Sequence, residues 1–238
     1  AFIDSDKGDV NLEASSIMYD LFAAARRDID RHFGHDMPLI CGEWNSSAGP
    51  LAFNHDHCNN APFIAKTLIE LSPICAGQLY WNISDIYEEC DFHYAPFHGG
   101  YGLLTVNSLA KASFHAFAML SELADTVVEA EIPDAPQGMG LCHTRADDGR
   151  SISLIYYHHE PDDQPQPVRL NVEALAAHRL RSIRPGRGSA YETWLELGSP
   201  AFINREIFDQ LESASQPTEC ELTQAELDIG PGQLHLLI

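Results

Sequence analysis

Three things are scarce in this chain, and each scarcity excludes something. Basic residues are few: 14 Lys and Arg stand against 35 Asp and Glu, for a formal charge of −21. That balance speaks against direct nucleic-acid binding, because a protein that grips phosphates needs cations to replace the released counterions. The acidic residues are spread along the chain, as on a solvated surface. Long apolar runs are missing as well, and nothing approaches the roughly 18 consecutive apolar residues of a membrane span. CxxC pairs are also missing, although there are six cysteines. Cys41, Cys58, Cys75, Cys90, Cys142 and Cys220 stand apart, several in apolar surroundings, and read as reduced thiols of a chain with a sizeable core. A cytoplasmic location is the expectation from that usage. The first residue is Ala1 and no signal-peptide pattern follows it, so the chain reads as a processed chain, a domain or a fragment.

With 45% hydrophobic residues in 238 positions, the chain can hold one large domain or two small ones. Its first half alternates helices with short apolar strands. Ile17, Leu21, Ile29 and Phe33 recur at helical spacing, which predicts a helix over 11–33 with Gly34 as its C-cap. Leu39–Cys41 reads as a buried parallel strand. Phe63, Ile64, Leu68 and Leu71 share one face of a second helix over 59–71, which Asp56 or Asn59 could cap and Ser72-Pro73 ends. A second short strand ends at Trp81, a long loop follows, and a third helix is predicted over 113–123. This is the rhythm of a parallel barrel. After Ala124 the pattern changes to short strands at 127–132, 138–144, 152–158, 168–172, 179–184 and 234–238, separated by Pro, Asp and Gly turns. Such spacing predicts an antiparallel sandwich. The division is therefore 1–124 and 125–238, with a short helix over 204–212.

The chemistry concentrates at the two strand ends. The first reads Gly42-Glu43-Trp44-Asn45-Ser46-Ser47. A carboxylate at the C-terminal end of a core strand is where α/β barrels place reacting groups, because the strand holds it rigidly while loops shape the pocket. The second runs Trp81-Asn82-Ile83-Ser84-Asp85-Ile86-Tyr87-Glu88-Glu89 and, after a loop, Phe97-His98-Gly99-Gly100-Tyr101-Gly102-Leu103-Leu104. His55-Asp56-His57-Cys58 invites a metal reading, since all four residue types ligate zinc. Adjacent residues rarely converge on one ion, however, and no second ligand cluster stands nearby, so no metal and no cofactor are expected.

These three segments, in this order and spacing, resemble the C-terminal part of glycoside hydrolase family 39, best known for β-xylosidases and α-L-iduronidases. Ser189-Ala190-Tyr191-Glu192-Thr193-Trp194 with Leu197-Gly198-Ser199-Pro200 resembles an element found late in the same family. Glu-Trp-Asn-Ser-Ser is like the xylosidase branch. The resemblance implies a full (β/α)8 barrel with an appended β-sandwich, of which this chain would be the C-terminal portion, since a barrel alone takes about 250 residues. It further implies that Glu43 is the nucleophile of a retaining β-glycosidase acting on xylo-oligosaccharides. Trp81 would floor the sugar site and Glu89 would bind a sugar hydroxyl, with Asn45 also in the substrate-binding set. His98 could face the sugar or pin the loop. The family's acid/base glutamate follows an asparagine, and no Asn-Glu dipeptide occurs here, so that residue is expected upstream and the fragment alone is expected to be inactive. Gly42, where the family has Thr, would loosen the strand end. Family-39-like barrels also occur behind helix-turn-helix regions of the AraC type, so a sugar-sensing domain is the alternative. Exposed edges of a cut barrel would favour self-association into a homo-oligomer.

Overall fold

The computed structural model describes residues 12–47, 49, 51–87, 92–159, 165–175 and 177–238. Among these no helix is long and apolar enough to cross a membrane. Helix α1 (Leu12–Phe33) ends where expected, at Gly34, whose φ of +88° is a left-handed cap conformation. Strand β1 (Ile40–Trp44) leads through a 3-10 turn at Phe53–His55 into α2 (Asn60–Leu71). Strand β2 (Gly77–Tyr80) then pairs parallel to β1. Helix α3 (Ala112–Leu120) is shorter than its sequence pattern predicts.

Beyond α3 the chain is mostly antiparallel strand. Strands β3 (Thr126–Val128), β4 (Met139–Arg145), β5 (Ser151–Tyr157), β7 (Arg179–Ile183), β8 (Thr218–Glu221) and β10 (Gln233–Leu237) form one six-stranded sheet. Its order is β3-β4-β5-β10-β7-β8. Strands β6 (Val168–Asn171) and β9 (Glu226–Ile229) form a separate pair. Helices α4 (Tyr191–Glu196) and α5 (Arg205–Ser215) lie between β7 and β8.

Side-chain alternation explains the layers. On one face of β5, Ile152, Leu154 and Tyr156 join Leu234 and Leu236 of β10 in a core shared with Phe63 and Ile64 of α2 and with Cys41 and Trp44 of β1. On the other face, Ile155 and Tyr157 pack with Leu237, Val172 and Ile229, which belong to β10 and to the β6/β9 layer. Strand β5 is apolar on both sides because it is covered on both sides, and α2 is held between the parallel pair and the large sheet. The first core therefore draws on residues from both sides of Ala124.

The cap of α2 differs from the sequence expectation. Asn59 makes no capping hydrogen bond. Instead its amide donates to the His159 carbonyl and accepts from the His159 amide at 3.2 Å, tying α2 to the end of β5. Asp56 is also diverted, into an ion cluster described below. The α4 segment completes the tie: Glu192 accepts the Cys58 amide at 2.8 Å and the Ser189 hydroxyl at 2.7 Å. Leu154 is fully buried in the shared core. Leu154→Ala should cost about 2–5 kcal/mol in denaturant unfolding; a loss under about 1 kcal/mol would mean that the core is not shared in this way.

Candidate active site

The parallel pair places the two predicted strand ends side by side. Cys41 stands opposite Gln78 and Trp44 opposite Tyr80, so three steps on β1 match two on β2. The extra residue makes a bulge at Gly42–Glu43, a device that re-aims a side chain at the end of a strand. Trp44 turns into the core against Phe63 and Tyr80, while Glu43 stays exposed. A Cβ built on Gly42 would meet nothing within 4 Å, so packing does not demand glycine here. Trp81 follows β2, donates its amide to the Trp44 carbonyl at 2.9 Å and leaves its indole 41% exposed. Trp44 and Trp194 are buried, so Trp81 is the one exposed indole. Its peptide bond to Asn82 is cis.

The chain after Trp81 is held by a second segment. Asn82 donates to the Tyr101 carbonyl at 3.3 Å, Leu103 to Asn82 at 3.1 Å, Leu104 to Ile83 at 3.1 Å, and Asp85 to Leu104 at 2.9 Å. Beneath this pairing lies a fully buried ion cluster. The Lys111 ammonium sits 2.5 Å from Asp56 and 2.7 Å from Asp85, and donates to the Gly100 carbonyl at 2.9 Å. The Gly99 amide donates to Asp56 at 2.6 Å and the Gly102 amide to Asp85 at 2.7 Å. Gly99 has a φ of +76°, and a Cβ there would lie 2.4 Å from the Leu51 carbonyl carbon. That approach requires glycine.

Burial alone would lower the Lys111 pKa, but the two carboxylates outweigh it and raise the pKa. Burial, with the Asp85 charge, raises Asp56 against the pull of Lys111. His55 contacts the Gly99 carbonyl through Nδ1 at 2.8 Å. A carbonyl only accepts, so Nδ1 carries the proton. Burial holds His55 down at about 4, despite the Gly99 contact.

His98 lies within the same loop. Its Nδ1 meets the Ala95 carbonyl at 3.0 Å and its ring stacks on His93 at 4.8 Å, so the loop-pinning contact is present. Asn45 reaches inward to the backbone and to Tyr80. Glu89 lies outside the described residues. The His55–Cys58 run disperses: His55 goes to Gly99, Asp56 to Lys111, the Cys58 thiol to the Gly232 carbonyl at 3.2 Å, and His57 to within 4.0 Å of Glu192. Among the described residues no three His, Cys, Asp or Glu side chains converge as a metal site would need. Lys111 and Tyr80 are structural members of the site that sequence reasoning did not single out, and Asp56, read there as a cap or a metal ligand, instead pairs with Lys111. The signal for Lys111 was slight, a lone cation ahead of an apolar helix.

Comparison with known proteins fits this arrangement. The model of the family described as glycosyl hydrolases family 39 matches residues 9–226. The chain belongs to that family. A β-xylosidase of Caldicellulosiruptor saccharolyticus is 32% identical over 188 residues, covering 76% of this chain and 38% of the relative. A β-xylosidase of Geobacillus stearothermophilus is 28% identical over 236 residues, covering 97% of this chain and 44% of the relative. This chain therefore spans less than half the length of either. In fold it is similar to a monomeric β-xylosidase from Caulobacter crescentus, with a TM-score of 0.74 and 21% identity over 94% of this chain and 49% of that one. It is also similar to a family 39 enzyme from Xanthomonas axonopodis, with a TM-score of 0.70 and 22% identity over 91% and 47%.

Two predictions follow from the buried cluster. Lys111→Met leaves two buried carboxylates without their cation, which should cost about 3–5 kcal/mol in urea unfolding; an unchanged midpoint would show that the cluster is not a buried ionic one. The second concerns pH. Because His55 titrates lower folded than unfolded, the unfolded chain takes up the proton first. The stability it contributes is present above about pH 6.5 and is lost as the pH falls toward 4, by about 3 kcal/mol. His55→Gln should flatten the stability profile over that window, and a profile as steep as before would assign the slope elsewhere.

Proposed function

We propose that this chain is the catalytic C-terminal part of a retaining β-glycosidase, a β-xylosidase acting on xylo-oligosaccharides. The observation that carries the reading is the pairing of an exposed carboxylate, Glu43, at the bulged end of β1 with an exposed indole, Trp81, at the end of the neighbouring parallel strand. In this reading β1, β2 and α1–α3 close a (β/α)8 barrel, and residues 125–238 form its β-sandwich companion. The uncovered side of the parallel pair, with Ile40 58% and Leu79 59% exposed, is the side the remaining barrel strands would face.

Retention divides the work between two carboxyl groups about 5–5.5 Å apart. Glu43 attacks the anomeric carbon and forms a glycosyl ester, while an acid/base glutamate on residues outside this chain protonates the leaving oxygen. The same glutamate, now a base, takes a proton from the water that releases the sugar. Trp81 stacks on the C–H face of the pyranose. Glu89 and His98 supply hydrogen bonds to sugar hydroxyls or, for His98, hold the loop. The free Cys41, Cys58 and Cys75, all buried, support a reducing compartment such as the cytoplasm.

The test is hydrolysis of p-nitrophenyl β-D-xyloside by the full-length protein that contains this chain. Glu43→Gln should lower kcat by more than about 10³-fold with the fold intact. Persistent turnover would remove Glu43 from the mechanism. A folded protein that binds xylose but never turns over the xyloside would make the domain a sugar sensor. The isolated chain, with Ile40 and Leu79 uncovered, should self-associate by light scattering, and a stable monomer would contradict that.

A further inference from the structure

We propose that Tyr80 and Asn45 form a positioning relay that sets the height and tilt of the Trp81 indole; the inference rests on the reading of Trp81 as a sugar platform. An asparagine amide has two N–H donors and two acceptor lone pairs on its oxygen. Asn45 Nδ2 donates to the carbonyls of Trp81 and, at 3.2 Å, Tyr101. Its Oδ1 accepts from the Tyr80 hydroxyl at 2.8 Å and from the Ser46 amide at 2.7 Å. All four positions are taken within the protein, so Asn45 has no hydrogen bond left to offer a sugar. Its work is to bridge the strand end that carries Glu43, the backbone of Trp81 and the Tyr101 segment.

Tyr80 fixes which way round the amide sits. A phenol that donates selects oxygen at its end and therefore places the NH2 toward the two carbonyls. Tyr80 is itself locked. Its ring packs edge-on against Trp44 at 5.1 Å and Phe117 at 5.3 Å, and its hydroxyl accepts from Asn60 Nδ2 at 3.4 Å. The same Asn60 nitrogen reaches the His55 carbonyl at 3.1 Å. Orientation thus passes from the start of α2 through Tyr80 and Asn45 to the Trp81 carbonyl, with no member except Trp81 touching the sugar.

Tyr80→Phe removes one oxygen and keeps the ring packing, which makes it the variant of choice. In the full-length protein it should raise KM for p-nitrophenyl β-D-xyloside and xylobiose about tenfold, the equivalent of one hydrogen bond, while kcat moves less than about threefold. In a Trp81→Ala background the same change should move KM less than about twofold, because a relay acts only through its endpoint. Equal losses in both backgrounds, or no KM change in either, would overturn the proposal. A second readout needs no activity. Trp44 and Trp194 are buried, so the share of acrylamide quenching that Trp81→Ala removes from the full-length protein reports the Trp81 indole. Tyr80→Phe should change that quenching, and an unchanged value would overturn the relay. If the parent hydrolyses no xyloside while the quenching still responds, the glycosidase reading fails and the relay stands.

Discussion

The structure around the site depends on one ammonium group buried between two carboxylates. Among the described residues Lys111 is the single cation facing Asp56 and Asp85, and none of the three side chains is exposed to solvent. An uncompensated buried charge is costly. The backbone amides of Gly99 and Gly102 supply the remaining donors at 2.6 and 2.7 Å. The loop is therefore part of the neutralisation, and its closure is required by electrostatics as much as by packing. Glycine is needed at these positions because the backbone has to approach the carboxylates and residues 51–52 more closely than a Cβ allows.

From that cluster the order spreads to the chemistry. Asp85 is the last residue of the segment that pairs with Tyr101–Leu104, and Trp81 immediately precedes the first, Asn82. The cluster fixes one end of this segment and Asn45 fixes the other. In its proposed role as a sugar platform Trp81 would have to be held to within a fraction of an ångström, and a segment held at both ends by polar contacts, fully buried at Asp85, meets that need better than a free one. The β1 bulge does the equivalent for Glu43. It turns the carboxylate outward while Trp44, the next residue, anchors the strand in the core.

Much of this was legible in the sequence. The apolar spacing of 63, 64, 68 and 71 located α2, Gly34 marked the end of α1, and the strand over 152–158 stood within one residue of β5. What failed to show had physical reasons. Strands β8 and β9 were not anticipated because charged residues interrupt their apolar pattern, and their partners, Arg181 facing Glu219 and Arg169 facing Asp228 at 2.7 Å, come into view only once the strands pair with β7 and β6. Asn59 read as a cap because local rules favour one, yet a backbone partner 100 residues away took its amide. At the site, Glu43 and Trp81 were placed by motif and stand together at adjacent strand ends. Lys111 and Tyr80 were not, because a lysine before a helix and a tyrosine in a strand are ordinary until their partners are known.

A covalent glycosyl ester on Glu43 is what the account turns on. The most direct measurement is to incubate the full-length protein with a 2-deoxy-2-fluoro-β-xyloside bearing a good leaving group, digest it, and locate the added sugar by mass spectrometry. A slowly hydrolysed adduct on the peptide carrying Glu43 is the expected result. An adduct on a different carboxylate, or rapid turnover with no adduct and inverted product, would contradict it.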